Sequence, residues 1–594
     1  MTRKKSSETH EGTDKQSDAA AGHRFWRETV ESIVIAVILA FLFRGFEAEA
    51  FVNPTGSMAP TLMGRHIDVQ CPQCGYWYQA GASGENPDEG QKQIVTHTTC
   101  PICRYTLSLD RPRNQNHNSF SGDRILVNKF AYEFGQPQRW DVIVFKFPGN
   151  ARVNYIKRLI GLPGESILIR QGNIYTLTQA EYDEGITEYH IARKPPHKLL
   201  AMLQLVDDTN YIARAQTELG WPSRWQQWSM PEDERSWQVG RDDDRASFAI
   251  EGASDGEAWL RYRHLIPRPE DWKDLEQGRL PAELGSYPGC LITDYYTYND
   301  AVTEDERRNG RSSSFGTHWV GDLALECHVE VLDDSGELLL DLVEGGTHYR
   351  CTIDVTDGTA VLSIDDEQQP FDGDDGATAE TRTAQTRVKG RGRYRLRFAN
   401  VDDELRLWVN DRVVRFDGPT SYQAPEMRRP HWSPNDPGDL EPLGVGSRGA
   451  DLRVSRLRVL RDVYYIAAKR NNGYSDYDHG FGGEEDTREA FSTPESWPND
   501  HRFGSLREAV FPGERSNGEI LFLGPDQFLP LGDNSPQSQD ARLWGEAGLV
   551  PGSELPPWVE RRLLIGKAVT IYWPHWWRWP TPFLPNFKRM ELIR

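Results

Sequence analysis

PTGSMAPTL, running from Pro54 to Leu62, follows directly on the only long apolar run of this 594-residue chain. Ser57 stands between Gly56 and Met58, with Ala59 just beyond, so the backbone can turn sharply and leave the hydroxyl uncovered. A hydroxyl is a weak nucleophile until a nearby base takes its proton. No histidine motif of the Ser-His-Asp kind follows. NYIKRLIGLPGES, from Asn154, instead sets Lys157 in an apolar, strand-like run where an amine can be kept neutral. Its ordinary pKa is about 10.4, and bringing it to about 8 takes roughly 3 kcal/mol of selective destabilisation of the ammonium, which burial can supply.

Working outward from the serine, GDRILVNK (Gly122 to Lys129), RWDVIVFKFP (Arg139 to Pro148), NYIKRLIGLPGE (Asn154 to Glu165) and LGDNSPQSQDAR (Leu531 to Arg542) complete an ordered set of blocks. In order and content they resemble the boxes of type I signal peptidases. The resemblance covers about 55–175 and 515–572, well under half of the chain. It implies a β-rich catalytic domain on a membrane surface, Ser57 as nucleophile and Lys157 as general base, with no cofactor for catalysis. It further implies that the hydroxyl of Thr55 helps hold the oxyanion, that Ser538 hydrogen-bonds the lysine amine, that Asp540 pairs with Arg542, and that Gly532, Asp533 and Asn534 form the turn opening the last box. Lys129 and Lys146 also lie in boxes but do not match the base. The chain departs from the family at Ser535, Pro536 and Ala541, which puts the ionic support of the box in question.

The fold expected is mainly β: a transmembrane helix, then an antiparallel catalytic domain interrupted by a zinc-ribbon-like insert and a jelly-roll sandwich. Residues 1–23 are polar and expected to be disordered. Ile33 to Phe43 is wholly apolar but too short to span a bilayer alone, so an anchor over 24–50 must borrow from its flanks. The competing reading is a cleavable signal peptide, for which Ala48-Glu49-Ala50 has the small-x-small form. Basic residues ahead of the run place the N-terminus in the cytoplasm and the catalytic domain on the exoplasmic face of the inner membrane, single-pass.

The first stretch of the catalytic domain is expected over 51–171, with an insert at 66–115 carrying Cys71, Cys74, Cys100 and Cys103 as CPQC and CPIC. Two such knuckles suit a tetrahedral structural Zn²⁺, although an exoplasmic site can hold disulfides instead. Residues 172–286 are mixed and rich in tryptophan, better read as packing residues than as a ligand platform. From 287 to 465 strict alternation such as LALECHVEV (Leu323 to Val331) gives a sandwich. GRYRLRF and LRLWVNDRVV (Gly392 to Val414) weakly resemble concanavalin-like or laminin-G-like jelly rolls. Asp365, Asp366, Asp372, Asp374 and Asp375 read as an exposed acidic loop rather than a Ca²⁺ site. A linker at 466–517 leads back to the catalytic domain, which resumes over 518–594. Its tail WPHWWRWPTPFLPNFKR (Trp573 to Arg589) either meets the membrane interface or packs on the domain.

With 68 basic against 89 acidic residues, a net charge of −21, and no basic stripe, nucleic acid is excluded as a partner. The partners expected are exported precursors with signal peptides, the lipid bilayer, and a carbohydrate or protein ligand of the jelly roll. Two other functions compete with signal-peptide removal: a LexA-like self-cleaving Ser-Lys protein, and a membrane-tethered binding protein whose peptidase shell is vestigial.

Overall fold

The structure is a computed structural model. It describes residues 29–30, 32–35, 48–86, 93–229, 235–242, 245–252, 254–281, 284, 289–308, 316, 318–366, 368–373, 377–467, 508–515, 518–544, 555–578 and 584–594. The expected disordered tail, most of the anchor and most of the return linker lie outside these residues. No helix of the described residues is long and apolar enough to cross a membrane. Ala48–Ala50, taken as the end of the anchor, belong to a strand instead, because Ala48–Val52 pairs antiparallel with Arg124–Asn128.

The apolar boxes become one antiparallel seven-stranded sheet. Its order is Ala48–Val52, Arg124–Asn128, Leu564–Trp573, Val142–Phe147, Asn150–Gly161, Gln527–Leu531 and Val559–Glu560. Strands from both ends of the chain therefore interleave in one sheet. A second sheet joins Glu165–Arg170 to Asn173–Thr178 and to Glu508–Phe511. That last strand falls in the expected linker; its apolar residues, Ala509 and Phe511, are buried in one core with Ile167 and Ile169, which draws the segment onto this sheet.

The large insertion is a sandwich of two antiparallel sheets. One contains Leu323–Val331, Gly392–Asn400, Leu405–Val409 and Leu452–Arg461; the other contains Glu337–Glu344, Thr347–Asp354, Thr359–Ile364 and Leu443–Arg448. Alternate residues such as Leu325, Cys327 and Val329 meet Leu340, Leu342 and Val445 between the sheets. The boundary expected at 287 does not separate two bodies. Arg245–Ile250 pairs with Leu452–Arg461, and Glu257–Tyr262 pairs with Leu443–Arg448, so the tryptophan-rich segment supplies strands to both sheets. Alternation there is masked by tryptophans that are themselves core: Trp225 and Trp237 lie between the sheets, and Trp259 lies flat over Gly444 and Gly446, where a Cβ would approach its ring to about 3 Å.

The cysteine insert is two hairpins, His66–Gln70 with Trp77–Gly81 and Val95–Thr99 with Thr106–Ser108. Trp221 and Trp272 pack against its core, and Trp272 Nε1 donates to the Cys103 carbonyl at 3.0 Å. The two insertions thus brace one another.

Candidate active site

Past the edge strand Ala48–Val52, the Asn53 amide donates from Nδ2 to the Leu62 carbonyl, 3.1 Å, and closes the loop that holds the serine. Gly56–Met58 forms a single 3-10 turn. Met58 and Leu62 are buried on the sheet with Val142, Val144 and Ile156, which fixes the turn over the strand Asn150–Gly161. Ser57 is thereby held at 7% exposure and Lys157 at 4%.

Lys157 Nζ donates to Ser57 Oγ at 2.6 Å and to the Ile156 carbonyl at 3.1 Å. Burial pushes the amine down to about 8, against the upward pull of the Asp540 and Asp533 carboxylates and with some help from the Arg542 charge. A base near neutrality, already hydrogen-bonded to a hydroxyl, can activate that hydroxyl. Lys146 is exposed and Lys129 lies 3.6 Å from Glu49, so neither competes for this position.

Gln527–Leu531 pairs with the lysine strand, Leu531 opposite Arg158, and so delivers the last box to the dyad. The Asn534 N–H donates to the Ser57 carbonyl, 3.1 Å, and its side-chain amide to the Gly56 carbonyl, 3.0 Å. Gly532 admits this approach, because a Cβ there would stand 2.4 Å from the Ser57 carbonyl oxygen and 2.1 Å from Ser538 Oγ. Asp540 accepts from Arg542 Nε and Nη2 at 2.8 and 2.7 Å and from the Gly532 N–H at 2.9 Å. Asp533 accepts a two-pronged pair from Arg158, 2.7 and 2.6 Å, with both side chains fully buried.

Two features differ from the sequence reading. Ser538 Oγ is buried without an aligned hydrogen bond, and the lysine amine instead spends its contacts on Ser57 and Ile156. Burial raises the Asp540 carboxyl, but Arg542, then the Gly532 N–H and last the Ser538 hydroxyl hold it below its usual range. Ser535, a departure from the family pattern, supports the ionic network rather than weakening it: its Oγ accepts from Arg542 Nη1 at 2.7 Å and from the Ile466 N–H at 2.8 Å. Thr55 is exposed at the mouth of the cleft.

Arg158, Tyr298 and Asn299 belong to the site without having been singled out. Arg158 had a signal, since a charge inside an apolar strand needs a buried partner. The other two had none. Asn299 exchanges amide hydrogen bonds with Asn534, 2.7 and 2.8 Å, and the Tyr298 hydroxyl donates to the Arg65 carbonyl at 3.0 Å. Together with Ala301, Thr303 and Glu306, and with Gly81–Gly84 of the cysteine insert, they wall a cleft of about 750 Å³ whose floor holds Ser57 and Lys157.

The four cysteines are buried and form no disulfide. Cys71 Sγ lies 3.5 Å from Cys103 Sγ and Cys74 Sγ lies 3.6 Å from Cys100 Sγ, all four within 4.8 Å of one another.

A family model described as "Signal peptidase, peptidase S26" matches residues 107–218, which include Lys157 but neither Ser57 nor the last box. Signal peptidase I of Pseudomonas fluorescens is 50% identical over 58 residues, 8% of this chain and 20% of that protein. Probable signal peptidase I-1 of Synechocystis is 24% identical over 196 residues, 32% of this chain and 68% of that protein. Among solved structures, a carbohydrate binding module from Bacillus subtilis covers 40% of this chain and 94% of itself, with 9% identity and a TM-score of 0.19, too low to bear on the fold. The chain spans about a fifth of the length of the first of these relatives. It carries a peptidase S26 region and is related to the type I signal peptidases.

Proposed function

We propose that the chain is a membrane-bound serine endopeptidase that removes signal peptides from exported precursor proteins, with Ser57 and Lys157 as a catalytic dyad. The observation that carries this reading is the 2.6 Å contact between a buried lysine amine, held down to about 8, and a serine hydroxyl on the floor of an open cleft. Ser57 Oγ attacks the scissile carbonyl while Lys157 Nζ takes its proton. The oxyanion is met by the Ser57 N–H and the Thr55 hydroxyl. On collapse of the tetrahedral adduct the lysine ammonium returns its proton to the departing amine, leaving an acyl-enzyme. Lys157 then deprotonates the water that hydrolyses it. Asp533 with Arg158, and Asp540 with Arg542, position the box against the serine turn. The supporting hydroxyl of Ser538 acts through Asp540.

The four cysteines are read as a structural Zn²⁺ site. A tetrahedron with Zn–S bonds of about 2.3 Å has edges of about 3.8 Å, close to the observed 3.5 and 3.6 Å and far from a disulfide. All four positions are protein ligands, so the ion would brace the cleft wall and take no part in catalysis.

Membrane attachment rests on the apolar run Ile33 to Phe43, which supports a single-pass anchor with a cytoplasmic N-terminus and an exoplasmic catalytic domain. The C-terminal segment adds exposed Trp576, Phe587 and Leu592, apolar side chains suited to a bilayer interface. The sandwich is read as a docking module for a carbohydrate or protein. A vestigial peptidase shell would have no use for a dry lysine hydrogen-bonded to a serine on the floor of a cleft, which favours the enzyme over the binding-protein reading.

The test is cleavage of a synthetic exported precursor by the detergent-solubilised full chain, with Ser57→Ala and Lys157→Ala beside it, over about pH 6 to 10. Both variants lose activity while folded, and the wild-type rate rises through an apparent pKa near 8. Retained activity in Lys157→Ala sinks the dyad, and cleavage confined to the chain itself favours the self-cleaving reading.

A further inference from the structure

Away from the cleft, three buried side chains from distant parts of the chain converge. His66 and Asp68 come from the first strand of the cysteine insert, and His575 comes from the aromatic C-terminal segment just after Leu564–Trp573. Alternate positions of a strand point to one face, so His66 and Asp68 are delivered together. The three residues are 0%, 2% and 4% exposed. One ligand atom from each lies within 4.8 Å of the others, and Asp68 Oδ2 stands 2.8 Å from His575 Nε2.

The hydrogen-bond partners fix where the protons are. His66 Nδ1 is 2.7 Å from the Gly64 carbonyl, which only accepts, so Nδ1 carries the hydrogen and Nε2 presents a lone pair. That lone pair finds no hydrogen-bond partner among the described residues. Asp68 accepts from Gln79 Nε2 at 2.7 Å through Oδ1, leaving Oδ2 turned to the histidines. Neither nitrogen of His575 makes an aligned hydrogen bond, and the 2.8 Å approach to Asp68 Oδ2 lacks hydrogen-bond alignment too. A protonated His575 facing Asp68 would leave the His66 lone pair orphaned. Arg589, the neighbouring cation, is taken by Asp123 at 2.6 Å. A single divalent cation satisfies all three atoms at once.

The surroundings fit a metal site. A ligating imidazole ordinarily gives its other N–H to a backbone carbonyl, and a ligating carboxylate is itself hydrogen-bonded, as Gly64 and Gln79 provide here. Phe120, 4.1 Å from the His575 ring, and Trp577, 5.3 Å from it, form a dry wall. A cleft of about 610 Å³ lined by Phe120, Trp573, His575, Trp577 and Arg578 borders the outer side of the third residue, while the ligand atoms themselves are closed off from solvent.

We propose that His66, Asp68 and His575 form a second metal site, separate from the four cysteines, for a borderline divalent ion of the Zn²⁺ class that takes two imidazole nitrogens and one carboxylate oxygen. The ion ties the C-terminal segment to the hairpin whose second strand ends at Gly81, on the wall of the catalytic cleft. It closes the circuit between the end of the chain and the insert that follows the serine.

The experiment uses the full chain in detergent, loaded with Zn²⁺, freed of excess by gel filtration, and assayed for zinc per chain by mass spectrometry. Asp68→Asn keeps the shape and the Gln79 contact, and His575→Gln keeps a polar side chain. Each is expected to hold one zinc equivalent fewer than wild type, whereas Cys71→Ser leaves this equivalent in place. Loading with Co²⁺ supplies the second readout: bands of nitrogen and oxygen ligation, without thiolate charge transfer, persist in Cys71→Ser and vanish in His575→Gln. Equal zinc in wild type, Asp68→Asn and His575→Gln, or Co²⁺ bands unmoved by either substitution, reduces the triad to a hydrogen-bonded cluster and overturns the proposal. Should His575→Gln fail to fold, the isosteric Asp68→Asn decides by the same two measurements.

Discussion

At the scale of single residues, the site depends on charges kept out of water. Lys157 in the folded chain gives up its proton near 8, while its ordinary value is 10.5. Between those values the unfolded chain binds the extra proton, so wild-type stability rises with pH across that window. Denaturant titrations from about pH 8 to 10.5 are expected to show wild type gaining about 3 kcal/mol that Lys157→Met does not gain. Parallel curves for the two proteins would mean that the amine is not selectively destabilised. Arg158 and Asp533 make the complementary case, a buried pair in which each ion cancels the other. Arg158→Met alone leaves an uncompensated carboxylate and is expected to cost about 3 to 5 kcal/mol, whereas Arg158→Met with Asp533→Leu costs clearly less than the two single changes summed. Equal additivity would remove the coupling.

At the scale of elements, the serine turn is shaped by a turn from the insertion. Thr297–Asn299 sets the Tyr298 ring so close to Gly56 that a Cβ at Gly56 would stand 2.2 Å from Cε1. An aromatic ring edge held by the hydroxyl's bond to Arg65 cannot swing aside freely. Gly56→Ala is therefore expected to displace Ser57 and lower kcat by about 100-fold, the scale of a 1 Å misplacement at a reacting centre. Adding Tyr298→Ala in the same chain restores a substantial part of that loss. If the double variant is as inactive as Gly56→Ala, the turn, and not the tyrosine, sets the limit. The same arrangement shows why Tyr298 and Asn299 were invisible in the sequence: they sit about 240 residues after the serine, in a stretch with no periodicity, and acquire meaning only by tertiary contact.

At the scale of the molecule, the sandwich is joined to the peptidase S26 region, which contains Lys194, by buried ion pairs and not merely strung on a linker. Lys194 Nζ lies 2.6 Å from Asp402 and 2.7 Å from Asp462, and the amine is nearly inaccessible to water. Tyr465 and Ile466, on the chain's return from the sandwich, bond to Asp533 and Ser535 of the last box. Replacing 204–462 by a short flexible linker is expected to lower both the melting temperature and kcat/KM for a precursor, because it removes Asn299 and the cleft wall and strands Lys194 without its two carboxylates. A module carried independently would leave both quantities unchanged on deletion.

The local chemistry was legible along the chain. The serine after Gly56, the lysine in an apolar strand, the alternation of Leu323 to Val331 and the paired C-x-x-C knuckles each follow from side-chain type at short range, where spacing alone decides the face or the turn. Three-dimensional packing decided the rest. It made the tryptophan-rich stretch part of the sandwich, because strands pair through backbone groups that carry no sequence label. It gave Ser535 an ionic duty and took the lysine amine away from Ser538, since a hydroxyl's partner is set by distance and alignment. It also brought His575 to His66 and Asp68 and set Asn299 beside Asn534, convergences between residues hundreds of positions apart that exist only once the chain has closed on itself.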